Sequence, residues 1–227
     1  MIKAAIFDLD GTLLNRDASL ASFVDDQYER LAEYLEHIPQ DRFSQRFIEL
    51  DAKGYVWKDK VYQRLIDEFE IKGISWQTLL EDYVENFKNH CVSFPNLSAM
   101  LENLTAKSIQ LAMITNGKGQ FQLDNLLALR IEGYFEHILI SEWEKMAKPE
   151  PAIFHKVLGK LGISADEAVY IGDHPKNDIQ AARAVGMKTI WKRNLQWQCS
   201  DADKEITDLN EIVEWIERLN TRDLRLT

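Results

Sequence analysis

The sequence predicts an α/β fold: a Rossmann-like parallel sheet of five strands with an all-helical domain inserted near its start. Three observations predict it. First, the apolar run Ala4–Phe7 leads straight into Asp8-Leu9-Asp10-Gly11-Thr12, the pattern of a buried strand that ends in a sharp turn. Second, from Pro95 onward short apolar runs alternate with stretches of helical period, as strands joined by crossover helices do. Third, residues 16–91 carry the helical period alone, over a length no loop would span. The expected organisation is therefore residues 1–15 plus 92–227 as the α/β core, with residues 16–91 as a helical insertion.

Each element has its own signal. From Ser19 to about Leu35 apolar side chains recur at Leu20, Phe23, Val24, Tyr28, Leu31 and Leu35 until Pro39 breaks the period. Phe43, Phe47, Ile48 and Leu50 continue it in a second helix over 41–50, and Lys53-Gly54-Tyr55 interrupts. Trp57, Val61, Leu65 and Phe69 mark a third helix; Gly73 stops it, and Ser75 is placed to cap a fourth through Phe87. In the core, a helix over 96–107 precedes a strand over 109–115 that closes on Asn116-Gly117. A helix over 120–129 and a short strand over 137–140 follow. Pro151 opens a helix running to Leu161, since proline is tolerated in a first turn. The remaining elements are a strand over 168–171, a helix over 177–185 stopped by Gly186, a strand over 188–191 and a final helix over 209–219. Residues 222–227 are expected to fray.

Bulk properties narrow the function. The net charge of 27 minus 37, or -10, argues against binding a nucleic-acid backbone, which needs clustered lysine and arginine. Cys91 and Cys199 have no metal-ligand or disulfide spacing, and are expected to be reduced thiols. No apolar run is long enough for a membrane span, and the residues before the first strand lack the layout of a secretion signal. The expectation is a cytoplasmic protein, monomer or homodimer, that meets neither membrane nor nucleic acid.

In open α/β sheets the functional crevice lies at the carboxyl ends of the strands. Those ends carry Asp8 and Asp10, then Thr115-Asn116-Gly117, then Lys148-Pro149 in the loop after the third strand, then Gly172-Asp173 through Asp178. Four carboxylates, a hydroxyl, an amide and a lysine thus meet at one edge. A divalent cation with a phosphoryl group would balance that set.

These stations, in this order, resemble the motifs of the haloacid-dehalogenase-like (HAD) hydrolases: Asp-x-Asp-Gly-Thr, a hydroxyl residue after the second strand, a lysine, and Gly-Asp-x-x-x-x-Asp. The inserted helices are similar to the C1-type cap of that family. The resemblance implies Asp8 as nucleophile and Asp10 as general acid and then base. It implies Thr115 and the amide of Asn116 as donors to phosphoryl oxygens, and Lys148 as the group that neutralises their charge. Mg²⁺ would be held by Asp8, the backbone carbonyl of Asp10, and Asp173, with Asp178 orienting Lys148 or a metal-bound water. Asp178 also reads as a helix-start residue favoured by the dipole, and the two readings are compatible. His174 reads as a loop residue. Lys145 stands where the family often has glycine. In the insertion, Lys53 could meet a second anionic group, while Tyr55 and Trp57 either stack on a substrate ring or pack between helices. The segments 14–20 and 91–95 would be the hinges.

The implied activity is Mg²⁺-dependent hydrolysis of a small phosphorylated metabolite through an aspartyl-phosphate. The alternatives are a sugar phosphomutase, a 2-haloacid dehalogenase, a phosphonate hydrolase and a non-catalytic binding module. Asp10 speaks against the dehalogenase, because a departing halide needs no proton.

Overall fold

A computed structural model of the chain describes residues 1–198 and 201–223. Cys199 and residues 224–227 of the expected frayed tail lie outside the described residues. Cys91 is a half-buried thiol whose sulfur lies 3.9 Å from the Phe87 carbonyl. The chain divides into two compact units: Met1–Asn15 with the chain from Ser93 onward, and Arg16–Val92. Among the described residues no helix is long and apolar enough to cross a membrane.

The Arg16–Val92 unit contains α1 (Arg16–Arg30), α2 (Ala32–Leu35), α3 (Gln40–Asp51), α4 (Lys58–Phe69) and α5 (Trp76–Asn86). The first expected helix is in fact two, α1 and α2, parted at Leu31. Ser75 caps α5, its hydroxyl accepting from the Thr78 N–H at 3.1 Å. Phe23, Phe43, Phe47 and Tyr62 are completely buried at the helical spacing of their elements. Each contributes roughly 1.5–3 kcal/mol by leaving water. Their rings meet edge-on, Phe23 on Tyr83 at 5.1 Å and Phe47 on Tyr62 at 5.4 Å.

Among the described residues, the other unit holds six parallel strands rather than five: β1 (Ala4–Phe7), β2 (Gln110–Thr115), β3 (His137–Ile140), β4 (Ala168–Gly172), β5 (Lys188–Lys192) and β6 (Lys204–Ile206), in the order β3-β2-β1-β4-β5-β6. The sixth is a three-residue edge strand, Lys-Glu-Ile, whose two charged residues and shortness give no apolar run. The helices of this unit are α6 (Leu97–Ala106), α7 (Gly119–Leu129), α8 (Ser141–Glu144), α9 (Pro151–Leu161), α10 (Ala181–Ala184) and α11 (Asn210–Asp223). A π-helical turn over Pro175–Gln180 replaces the start of the helix expected over 177–185.

Every residue of β1 is buried, as a central parallel strand requires. Ala4 and Ile6 face a core built from Ile153, Phe154 and Val157 of α9, Ala182 of α10, and Tyr170 of β4. The register sets the site. Phe7 stands beside Met113 of β2 and Ile171 of β4, so the chain leaves β1 at Asp8 between the ends of both neighbours.

Candidate active site

Asp8 follows directly on β1 and keeps the ladder for one more bond, its N–H donating to the Ile171 carbonyl at 2.9 Å. The residue is 6 % exposed. Oδ1 accepts from Lys148 Nζ at 2.6 Å, and Oδ2 faces the Thr12 hydroxyl at 3.3 Å. Gly11 turns the chain with φ +81°, and a Cβ there would come within 2.3 Å of Asp173 Oδ2. Glycine therefore serves both the turn and the close approach of a second carboxylate. The Gly11 N–H closes the turn on the Leu14 carbonyl at 2.9 Å.

Lys148 is aimed from two sides. The Asn116 side chain clamps its backbone, Nδ2 donating to the Lys148 carbonyl and Oδ1 accepting from the Lys148 N–H, both at 2.9 Å. The Lys148–Pro149 peptide is cis. At the far end, Nζ donates to Asp178 Oδ1 at 2.7 Å as well as to Asp8. Asp178 is itself fixed by the Tyr170 hydroxyl at 3.2 Å and the His174 N–H at 2.9 Å. His174 caps the π-helical turn, its Nδ1 accepting from the N–H groups of Lys176 and Asn177 at 3.1 Å. Lys145 adopts φ +53°, the left-handed region in which glycine is the usual residue.

Asp173 follows β4. Its Oδ2 accepts from Asn194 Nδ2 at 2.7 Å, and its carbonyl accepts from the Trp191 indole N–H at 2.7 Å. Asp10 points elsewhere: its Oδ2 accepts from Gln122 Nε2 at 2.7 Å, and the same nitrogen reaches Thr115 Oγ1 at 2.6 Å. Gln122, Asn194, Trp191 and Tyr170 did not stand out in the sequence. Gln122 carried a usable signal: a buried-face polar residue on the first helical turn after a strand-end Asn-Gly.

Asp8, Asp173 and Asp178 each offer an oxygen within 4.8 Å of the others. If all three are ionised, the cluster carries three negative charges against the single Lys148 ammonium, a balance of -2. The strain of this arrangement is electrostatic. Burial pushes the Asp8 carboxyl well up, Lys148 pulls it back, and Asp178 and Asp173 add to the rise. Asp173 is pushed up to about 7 by burial and then by Asp178. Burial works against the Lys148 ammonium, but Asp178 and Asp8 outweigh it and hold its pKa well above the ordinary lysine range. An all-oxygen carboxylate donor set with two unbalanced negative charges suits a hard divalent cation.

Lys53, Tyr55 and Trp57 belong to the helical unit. Lys53 sits at φ +62° in the turn after α3, with its ammonium 4.0 Å from Asp17. Tyr55 is 64 % exposed. Trp57 packs edge-on against Tyr83 at 6.2 Å and precedes α4 as its N-cap.

A parallel sheet whose strand ends gather an aspartate, a lysine and two further carboxylates is a doubly wound α/β architecture with its functional crevice at the carboxyl edge. The family description "Haloacid dehalogenase-like hydrolase" matches residues 5–192, and the chain belongs to that family of enzymes. It is 28 % identical over 233 residues to a glyceraldehyde 3-phosphate phosphatase of Pyrococcus furiosus, covering 98 % of this chain and 96 % of the relative. It is 31 % identical over 189 residues to a phosphoglycolate phosphatase of Haemophilus influenzae strain 86-028NP, covering 81 % and 82 %. Among solved structures, a HAD phosphatase from Thermococcus onnurineus superposes with a TM-score of 0.67 at 26 % identity, covering 95 % of this chain and 98 % of that one.

Proposed function

We propose that the protein is a Mg²⁺-dependent phosphatase that hydrolyses a small phosphomonoester through an aspartyl-phosphate on Asp8. The observation that carries this reading is the pair of carboxylates ending β1, held apart by different partners. Asp8 is bound by Lys148, while Asp10 is bound by Gln122, whose same amide nitrogen also reaches Thr115. Two carboxylates in two environments take two roles.

In the first step an Asp8 oxygen bonds to phosphorus while the bond from phosphorus to the ester oxygen breaks. The leaving oxygen takes a proton from Asp10, and the alcohol departs. In the second step water attacks the phosphorus and gives its proton to Asp10. The acyl-phosphate bond breaks, phosphate leaves, and the Asp8 carboxylate is restored. Lys148, held rigidly between Asp8 and Asp178, neutralises charge on the transferred group. Thr115 and the Asn116 backbone N–H are the donors to its oxygens. Asp8, Asp173 and the Asp10 carbonyl are the residues that would hold Mg²⁺, which supplies charge stabilisation in a reaction that is otherwise mostly positioning. We assign substrate selection to the helical unit, with Lys53 and Tyr55 of its exposed turn as the candidate contacts.

The relatives named above point to short-chain phosphoesters as the first compounds to assay. The test is release of inorganic phosphate from an aryl phosphate and from a panel of metabolite phosphates, with and without chelator. Asp8→Asn is expected to lower kcat by about 10⁴-fold or more, as loss of a covalent nucleophile does. Equal activity of wild type and Asp8→Asn would falsify the reading. Transfer of the phosphoryl group back to a sugar phosphate, with no free phosphate, would replace it with a mutase.

A further inference from the structure

Gln122 lies on the first turn of α7 and is 2 % exposed. One amide nitrogen serves both Asp10 Oδ2 and Thr115 Oγ1, and it has two hydrogens to give. Its orientation is dictated. The amide oxygen faces Asn125 Nδ2 at 3.3 Å, and turning the amide over would set oxygen against the Asp10 carboxylate. The stem is wedged as well: a Cβ at Gly117 would come within 2.7 Å of Gln122 Cγ.

The two bonds have separate consequences. A hydroxyl has one hydrogen to donate and two lone pairs to offer. Gln122 fills a lone pair of Thr115, so the Thr115 hydrogen is not spent on Gln122 and can go to another acceptor. At Asp10, Oδ2 is occupied, which leaves Oδ1 as the oxygen that exchanges a proton.

We propose that Gln122 is a positioning residue of this site: it locks the Asp10 carboxylate with Oδ1 available to the ester oxygen and keeps Thr115 a donor to the phosphoryl group. This rests on the phosphatase reading above, in which Asp10 protonates the leaving oxygen as its bond to phosphorus breaks. The role makes a chemical demand that mere packing does not. A nitrophenolate leaves without a proton, whereas an alkoxide needs one. Loss of Gln122 must therefore cost more as the leaving oxygen becomes more basic.

The experiment compares wild type, Gln122→Met and Gln122→Glu on p-nitrophenyl phosphate and on an alkyl phosphate, at saturating Mg²⁺, with melting curves and Mg²⁺ titrations alongside. Methionine keeps the length and gives no hydrogen; glutamate keeps the shape but offers acceptors to both neighbours. Gln122→Met is expected to lower kcat on the alkyl ester about 30-fold or more and on the nitrophenyl ester about 3-fold or less, a part of the 10²–10⁴ that a general acid supplies. KM and Mg²⁺ affinity should stay within about 3-fold. Gln122→Glu should be slower than Gln122→Met on both esters, because it draws the Thr115 hydrogen inward and sets a like charge against Asp10. If Gln122→Met does not fold, Asn125→Ser, which removes one of the two contacts that orient the amide, should show the same ordering of the two esters at smaller size. Equal losses on both esters in a folded variant overturn the role of Gln122 while leaving the phosphatase reading standing. A wild-type protein inert toward both esters overturns that reading and this one together.

Discussion

In the helical unit the carboxylate of Asp51, 1 % exposed, takes both hydrogen bonds from Arg16 Nη2 at 2.9 Å, an ion pair from Lys58, and the Gly54 N–H at 2.8 Å. In the α/β unit, Asp8, Asp173 and Asp178 gather around the ammonium of Lys148. The first cluster sets two cations against one anion, the second three anions against one cation. Asp51 has a donor on every side. Asp8 and Asp173 instead are displaced upward by burial first and then by the neighbouring carboxylates, Asp178 above all. A buried charge cluster that satisfies itself stabilises a loop. One that does not is waiting for something to bind.

The sharpest way to break this contrast is to remove the anion that the helical unit depends on. Asp51→Ala takes the carboxylate from Lys58, which is 2 % exposed, and from Arg16, and it frees the turn over Ala52–Gly54. Removing one member of a buried pair costs about 3–5 kcal/mol, since a buried cation is left without its counter-ion. Urea unfolding should show a loss of that size. A loss below about 1 kcal/mol would mean that the cluster is not the anchor its geometry describes. By contrast, Asp173→Asn in the α/β unit should leave the metal-free protein as stable as before or more stable, because it relieves crowding rather than creating it.

A second test follows from pH. An aspartate is ordinarily half-protonated near 3.8, and Asp173 in the fold is pushed up to about 7. Between those values the folded state holds a proton that the unfolded chain has released. Stability of the metal-free protein is then gained as pH falls through about 7 and lost as it rises. Asp8 is displaced in the same direction. Glu167, held down to about 2 by Lys3 first and then by the Ser164 N–H, acts with the opposite sign, but its window lies below the ordinary glutamate value of 4.5. A tenfold difference in proton affinity between the folded and unfolded states is about 1.4 kcal/mol. Between pH 8 and 5.5, melting of chelator-treated protein should therefore show a gain on the order of 1–3 kcal/mol. Added Mg²⁺ should flatten the trend. A metal-free protein that loses stability over that range would refute the crowded-carboxylate description.

Much of the α/β unit could be read from its residues because strand ends are punctuated. Ala4–Phe7 before Asp8, Ile114-Thr115 before Asn116, and Ile171-Gly172 before Asp173 each pair an apolar run with a polar stop. A parallel sheet brings such stops to one edge whatever the loops do between them. What escaped notice lacks that punctuation. β6 is three residues with two charges, and α8 is a single turn. Gln122, Asn194 and Tyr170 act through side chains that sequence spacing does not aim, since each meets its partner only after the sheet is assembled. The aromatic residues of the insertion were legible as helix faces. Sequence alone left Trp57 open between packing and stacking, and the structure sets it edge-on against Tyr83.

The smallest effect concerns the self-satisfied side of the comparison. Tyr62 is completely buried and donates its hydroxyl hydrogen to Gln27 Oε1 at 2.8 Å. Gln27, also buried, donates in turn to the Leu79 carbonyl at 3.2 Å and to Asp82 Oδ2 at 2.8 Å, and Asp82 is bound by Arg30. Every member of this chain has a partner, so its loss should be local. Tyr62→Phe keeps the ring and its contact with Phe47, removes one hydrogen, and leaves the Gln27 oxygen buried with one bond fewer. The expected cost is about 1–2 kcal/mol by urea unfolding, the range for an orphaned buried acceptor. Gln27→Met alone should cost more, because it strands the Tyr62 hydroxyl and takes a donor from both the Leu79 carbonyl and Asp82, which keeps Arg30 and Asn86. In a double-mutant cycle Tyr62→Phe should then add little on top of Gln27→Met, because the hydroxyl it removes is already orphaned. Fully additive losses would show that the two residues stabilise the fold independently. The helical unit would then owe its stability to its aromatic faces, with the polar chain merely tolerated between them.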